Sequence, residues 1–201
     1  SGGETLVTSE SVTTTGAMAD AINIVGIDVT VHSGFISTVG DTSDGIYVTA
    51  SGPIAVTSES IETTGSFTVG VRTTSTSGRI SVASGAIAAV GNYSAGIIAS
   101  APGAVSITST SIATEGTYAF GMRAVSSDVV TIDSGSVSTL GNYSDGIQAY
   151  GNAEKDNLTL CQSVIAGFAL LMLGATVWFV IAGLMRPLTS VRGAMRQLLA
   201  E

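Results

Sequence analysis

A glycine returns at Gly16, Gly40, Gly65, Gly91, Gly116 and Gly141, and five of the six follow a Thr-x pair. The spacing of about 25 residues falls in the range of stacked-repeat architectures. The residues around this anchor repeat with it. Serine stands seven positions earlier, at Ser9, Ser33, Ser58, Ser84, Ser109 and Ser134. A β-branched aliphatic stands four positions earlier, at Val12, Ile36, Ile61, Ile87, Ile112 and Val137. Further upstream Val7, Val31, Val56, Val82, Ile107 and Ile132 form another column, each preceded two residues earlier by Thr5, Val29, Ile54, Ile80, Val105 or Val130. Six positions past the anchor stand Ile22, Ile46, Val71, Ile97, Met122 and Ile147.

These apolar residues alternate with a period of two, the mark of strands rather than helices. The pattern predicts three short strands per coil, punctuated by Gly and Ser. A parallel β-helix meets every constraint: each strand pairs with its equivalent in the coils above and below, and the interior fills with aliphatic ladders. The expected fold is an all-β, right-handed parallel β-helix of about six coils over residues 1–151, roughly 29 Å long at about 4.8 Å per coil. Burying one Ile or Val contributes about 1.5–3 kcal/mol, so a coil becomes stable only when neighbours cover it.

A longer beat is superimposed. Gly91-Asn92-Tyr93-Ser94 matches Gly141-Asn142-Tyr143-Ser144, and Val71-Arg72 matches Met122-Arg123, which implies duplication of a pair of coils. Two residues past the anchor, Phe67, Tyr93, Tyr118 and Tyr143 occupy consecutive coils. They form a candidate surface aromatic ladder, read as a stabilising stack ahead of a sugar-binding strip.

The recurring Ser-Gly-x-Val/Ile-x-Thr-x-Gly-x-x-Ser-Asp-Gly-Ile resembles the passenger region of bacterial autotransporters, the secreted β-helical part of surface adhesins. The resemblance covers 1–151. It implies an extracytoplasmic solenoid used for adhesion or as a spacer, with an extracellular glycan or protein as the candidate ligand.

Catalysis is not expected, and no catalytic, cofactor or metal residues are assigned. Asp44 and Asp145 share one repeat position but lie four coils apart, about 19 Å, against the roughly 5–9.5 Å that paired glycosidase carboxylates need. Asp44, Arg72 and Arg123 are read as a solvated face, and His32, the only histidine, as a surface strand residue. The single cysteine, Cys161, excludes an internal disulfide and leaves a structural zinc without a second thiolate. Neither a Gly-Gly-x-Gly-x-Asp calcium signature nor a phosphate-cradling loop occurs.

The charge divides the chain. Up to Gly151 twelve acidic residues stand against Arg72, Arg79 and Arg123, a formal charge of about −9 that excludes nucleic acid as an expected partner. After a polar linker, 152–163, the run 164–185 is almost wholly apolar and as a helix would reach about 33 Å, enough to cross a bilayer. Arg186, Arg192 and Arg196 follow it at once, placing the C-terminus in the cytoplasm and the solenoid outside. A helical span indicates the bacterial inner membrane, since outer-membrane proteins usually cross as barrels. The cell surface is the alternative.

Residues 186–201 place Leu188, Val191, Met195 and Leu198 on one helical stripe at heptad spacing, with Pro187 in the first turn. Arg186-Pro187-Leu188 followed by Met195 and Leu198 resembles the first helix of the HAMP linker of chemotaxis receptors and sensor kinases. That resemblance implies a signal-transducing receptor cut before its output module. It also implies a homodimer through the transmembrane and HAMP helices, with Gly167 and Gly174 on one face of the span. The chain begins without methionine or an apolar leader, so an export signal is expected to be removed or to lie outside this sequence. Because passenger-like and receptor-like parts rarely share a chain, a fusion near Gly151 is the competing expectation.

Overall fold

The computed structural model describes residues 3–152, which belong to one compact unit, Ser1–Asn152, distinct from Ala153–Glu201. The span 164–185, the stub 186–201 and nearly all of the linker 152–163 lie outside the described residues. Among the described residues no helix is long and apolar enough to cross a membrane.

The described chain is a parallel β-solenoid of six coils. One sheet carries β1 (Glu4–Thr15), β3 (Asp28–Val39), β5 (Ile54–Thr64), β7 (Ile80–Val90), β9 (Val105–Glu115) and β11 (Val130–Leu140), in that order. The other carries β2 (Ile22–Gly26), β4 (Ile46–Ala50), β6 (Val69–Ser75), β8 (Ala95–Ala101), β10 (Phe120–Ser126) and β12 (Ile147–Tyr150). Each strand is hydrogen-bonded only to its equivalents one coil away, in register with the repeat: Val31 faces Val7 and Val56, and Ile36 faces Val12 and Ile61.

Each coil therefore has two strands where the sequence pattern predicts three. The first two predicted strands join into one of 11 or 12 residues that bends at the inward serine. In β3 the buried residues are Val29, Val31 and Ser33, and after the bend Ile36 and Thr38, so the inward phase slips by one residue at Gly34-Phe35. The ladder skips Gly34 on both sides while continuing through Ser33 and Phe35. The pattern is read correctly as two inward-facing runs, but backbone pairing carries through the corner between them. Glycine suits the corner because a Cβ on Gly34 would collide with the carbonyl of Glu10 in the coil before.

The core is the set of inward columns: Val31, Val56, Val82 and Ile107 on one side of the bend, Ile36, Ile61, Ile87 and Ile112 on the other, and Ile46, Val71, Ile97 and Met122 from the short strands. At both ends the columns open. Val7 and Val12 in the first coil and Val130, Ile132 and Val137 in the last are only partly buried, since no described coil covers them.

Two polar ladders thread the interior. The corner serines point inward, with Ser58 Oγ donating to Ser84 Oγ at 3.1 Å and the hydroxyls of Ser109 and Ser134 sharing a bond of 2.7 Å. Ser33 Oγ is buried with no partner among the described residues. The second ladder lies three residues past the anchor, at Ser43, Thr68, Ser94 and Ser144. There Ser94 Oγ donates to the Gly65 carbonyl at 2.9 Å and accepts from Thr68 Oγ1 at 3.1 Å. Ser43 and Ser144 make the same bond to Gly16 and Gly116.

These two environments give opposite expectations for one substitution. Ser94→Ala removes one of the two hydroxyl donors to the Gly65 carbonyl, the other being Thr68 Oγ1 at 3.1 Å, and should cost about 0.5–1.5 kcal/mol. Ser33→Ala removes an unmatched hydroxyl and should be neutral or stabilise by up to about 1 kcal/mol. Urea midpoints of the two variants would test this; equal losses would mean that the Ser33 hydroxyl has a partner in solution.

Candidate functional site

The turn after each anchor glycine builds the most regular surface feature. The anchors adopt φ between +119° and +149°, and the residue two positions on is left-handed in every coil although it is never glycine: Met18 (57°), Thr42 (58°), Phe67 (61°), Tyr93 (58°), Tyr118 (58°) and Tyr143 (58°). Its N–H donates to the carbonyl one position past the anchor in the next coil, as in Phe67 N to Asn92 O, Tyr93 N to Thr117 O and Tyr118 N to Asn142 O, all 2.9 Å. Identical turns stacked by identical bonds bring the side chains into one column.

Phe67, Tyr93, Tyr118 and Tyr143 accordingly stack face to face, with centroids 4.9, 5.1 and 4.9 Å apart and interplanar angles of 2°, 9° and 11°. They remain 53%, 50%, 43% and 77% exposed. Each inner ring has both faces covered by neighbours, so only ring edges and the two end faces meet solvent. A sugar that packs on an aromatic face would find no platform along the middle of the stack. The left-handed backbone was not legible in the sequence, because its usual signals, Gly or Asn at the strained position, are absent.

The acids are arranged differently from the solvated face expected. Asp44 is 5% exposed. Its carboxylate accepts from Arg72 Nε at 2.5 Å and from the Val69 N–H at 2.8 Å, and the Asp44 N–H donates to Asp20 Oδ1 at 2.7 Å. Asp20 and Asp44 each cap the N–H of the equivalent residue one coil on. The reason is diagonal placement: Arg72 does not share the Asp44 column but sits three residues along in the next coil, within reach. That offset is readable from the repeat. The remaining acid of this position, Asp145, is exposed and accepts from Gln148 Nε2 at 2.6 Å. Arg123 is exposed, 6.0 Å over the Tyr150 ring, a cation–π contact.

Burial pushes the Asp44 carboxyl above its ordinary 3.8, the Asp20 charge adds to that, and the bonds from Arg72 and Val69 oppose it. The folded chain thus holds this proton more tightly than the unfolded chain. Its contribution to stability is full below 3.8 and declines as pH rises through the raised value. Asp44→Asn, which keeps an acceptor for Val69, should remove that decline; a wild-type and variant pair with parallel stability curves from acid to neutrality would contradict it.

Other chemistry-bearing residues stay apart. His32 is exposed on β3 with Thr8 and Thr57 as its row neighbours. An open depression of about 380 Å³ at the corner is lined by Ala83, Gly85, Thr108, Thr110 and Asp133, with one carboxylate. No group of three or more His, Cys, Asp or Glu side chains able to hold a metal occurs among the described residues. The stripe Leu188, Val191, Met195 and Leu198 lies outside them.

The fold and this surface define a parallel β-solenoid with an exposed aromatic ladder. Comparison with protein-family models, with curated proteins and with solved structures finds no match to this chain.

Proposed function

We propose that the chain is a membrane-anchored, non-enzymatic bacterial protein whose solenoid, wound right-handed as parallel crossovers are, stands outside the cytoplasm as a rigid recognition or spacing rod. The observation that carries this reading is the ladder: the same surface group is repeated coil after coil at a fixed pitch, which suits an extended contact better than a reaction at one point. The diagonal bond between Asp44 and Arg72 supports it, because the one buried acid among the described residues is engaged in holding adjacent coils together.

The anchor rests on the apolar run 164–185 followed by Arg186, Arg192 and Arg196. Within that frame the chain is part of a HAMP-containing receptor of the inner membrane, its C-terminus cytoplasmic and its partners membrane lipid, a second copy and an extracellular glycan or protein. The second reading is a passenger-like surface adhesin or spacer joined to an unrelated C-terminal piece, and the aromatic turn edge, which a receptor does not require, favours it. Cysteine cross-linking in membranes separates the two. With Cys161→Ser, single cysteines at Leu188, Val191, Met195 and Leu198 should cross-link more than those at Thr189 and Arg196. Equal yields would remove the receptor and leave the tethered solenoid.

A further inference from the structure

The turn edge carries more aromatic surface than a turn needs. The left-handed backbone is common to all six turns, Met18 and Thr42 included, so it belongs to the stacked turn and not to the rings. What the turn does not require is a ring, and four successive coils carry one in a continuous exposed stack. Half-exposed, the four rings offer on the order of 400 Å². Val90 and Leu140, exposed at the residue before the anchor on the same edge, extend it toward the roughly 800 Å² per partner that a stable pair buries.

We propose that this edge is a two-fold interface through which two copies of the chain pair side by side along their ladders. A second copy is the occupant that matches the ladder's pitch over its full length. A sugar chain is disfavoured because the inner ring faces are covered. The columns flanking the rings carry only Asp41 and Glu115 as charges, and Asp41 is engaged by the Ser66 N–H at 2.7 Å, so two acidic solenoids can meet here without opposing rows of carboxylates. An isologous contact uses the edge on both copies and stops at two. Added salt screens the remaining repulsion between the solenoids and strengthens the pair, the opposite of docking by a basic partner.

The test uses the full chain with Cys161→Ser. A cysteine at Asn92, on the turn edge, should form a disulfide-linked dimer on oxidation, more completely at high salt. A cysteine at Thr108, exposed on the outer face of β9, should not. Tyr93→Asp with Tyr118→Asp should lower the Asn92→Cys dimer about ten-fold or more. Because losing two stacked rings can also loosen the turn, the same drop is required of Val90→Asp with Leu140→Asp, which leaves the stack intact. No cross-link at Asn92, equal cross-linking at Thr108, weakening by salt, or a dimer that survives both charged pairs overturns the proposal. Tethering by the transmembrane and HAMP helices alone would give the second of these outcomes.

Discussion

Gly91→Ala is expected to destabilise the solenoid by about 4 kcal/mol or more, the range reserved for substitutions that break the backbone arrangement itself. Two effects combine. Gly91 has φ +149°, which L side chains rarely adopt, and a Cβ there would strike the carbonyl of Gly65 in the coil before, with Ser94 Oγ at 3.0 Å. The carbonyl is backbone and cannot swing away, and the Ser94 hydroxyl is held by its bond to that same carbonyl. The Gly65 carbonyl is also the acceptor of Ser94 and the N–H of Gly91 is bonded to Glu115 O at 2.8 Å, so relief by moving the turn breaks bonds to the coils on both sides. Urea unfolding followed by far-ultraviolet circular dichroism measures the loss. A Gly91→Ala variant within about 1 kcal/mol of wild type would show that the turns are not stacked this closely.

The same geometry explains why the repeat was readable and its finer features were not. Residues that must be small or apolar because the coil above touches them recur at fixed intervals, so the anchor glycines, the inward serines and the Ile and Val columns disclose a stacked solenoid from the letters alone. Pairing along the backbone leaves no such trace: nothing in Ser33-Gly34-Phe35 distinguishes a corner that ends a strand from one the ladder bends through. The left-handed turn is hidden for a related reason, since in Phe67, Tyr93, Tyr118 and Tyr143 interactions between coils override the local preference for Gly or Asn. Asp44 and Arg72 stand in different columns of the repeat, and their bond runs diagonally between coils. A helical net of the repeat, drawn one coil over and three residues on, brings the two together.

Ile97→Ala and Ile147→Ala remove the same side chain from the same column at different depths, and their effects should differ several-fold. Ile97 is fully buried, between Val71 and Met122 in adjacent coils, whereas Ile147 is 49% exposed in the last described coil. The first change leaves a cavity that two neighbouring coils can only partly fill, for a cost of about 2–5 kcal/mol; the second should cost about 1 kcal/mol, because half of that surface already meets solvent. Position along the stack adds a further difference. In an array stabilised by nearest-neighbour contacts, a weak coil in the middle separates the coils on either side and should broaden the urea transition, lowering its apparent slope. A weak terminal coil frays and leaves the slope nearly unchanged. Equal costs and equal slopes for the two variants would mean that the solenoid unfolds as one indivisible unit, with Ile147 as well covered as Ile97.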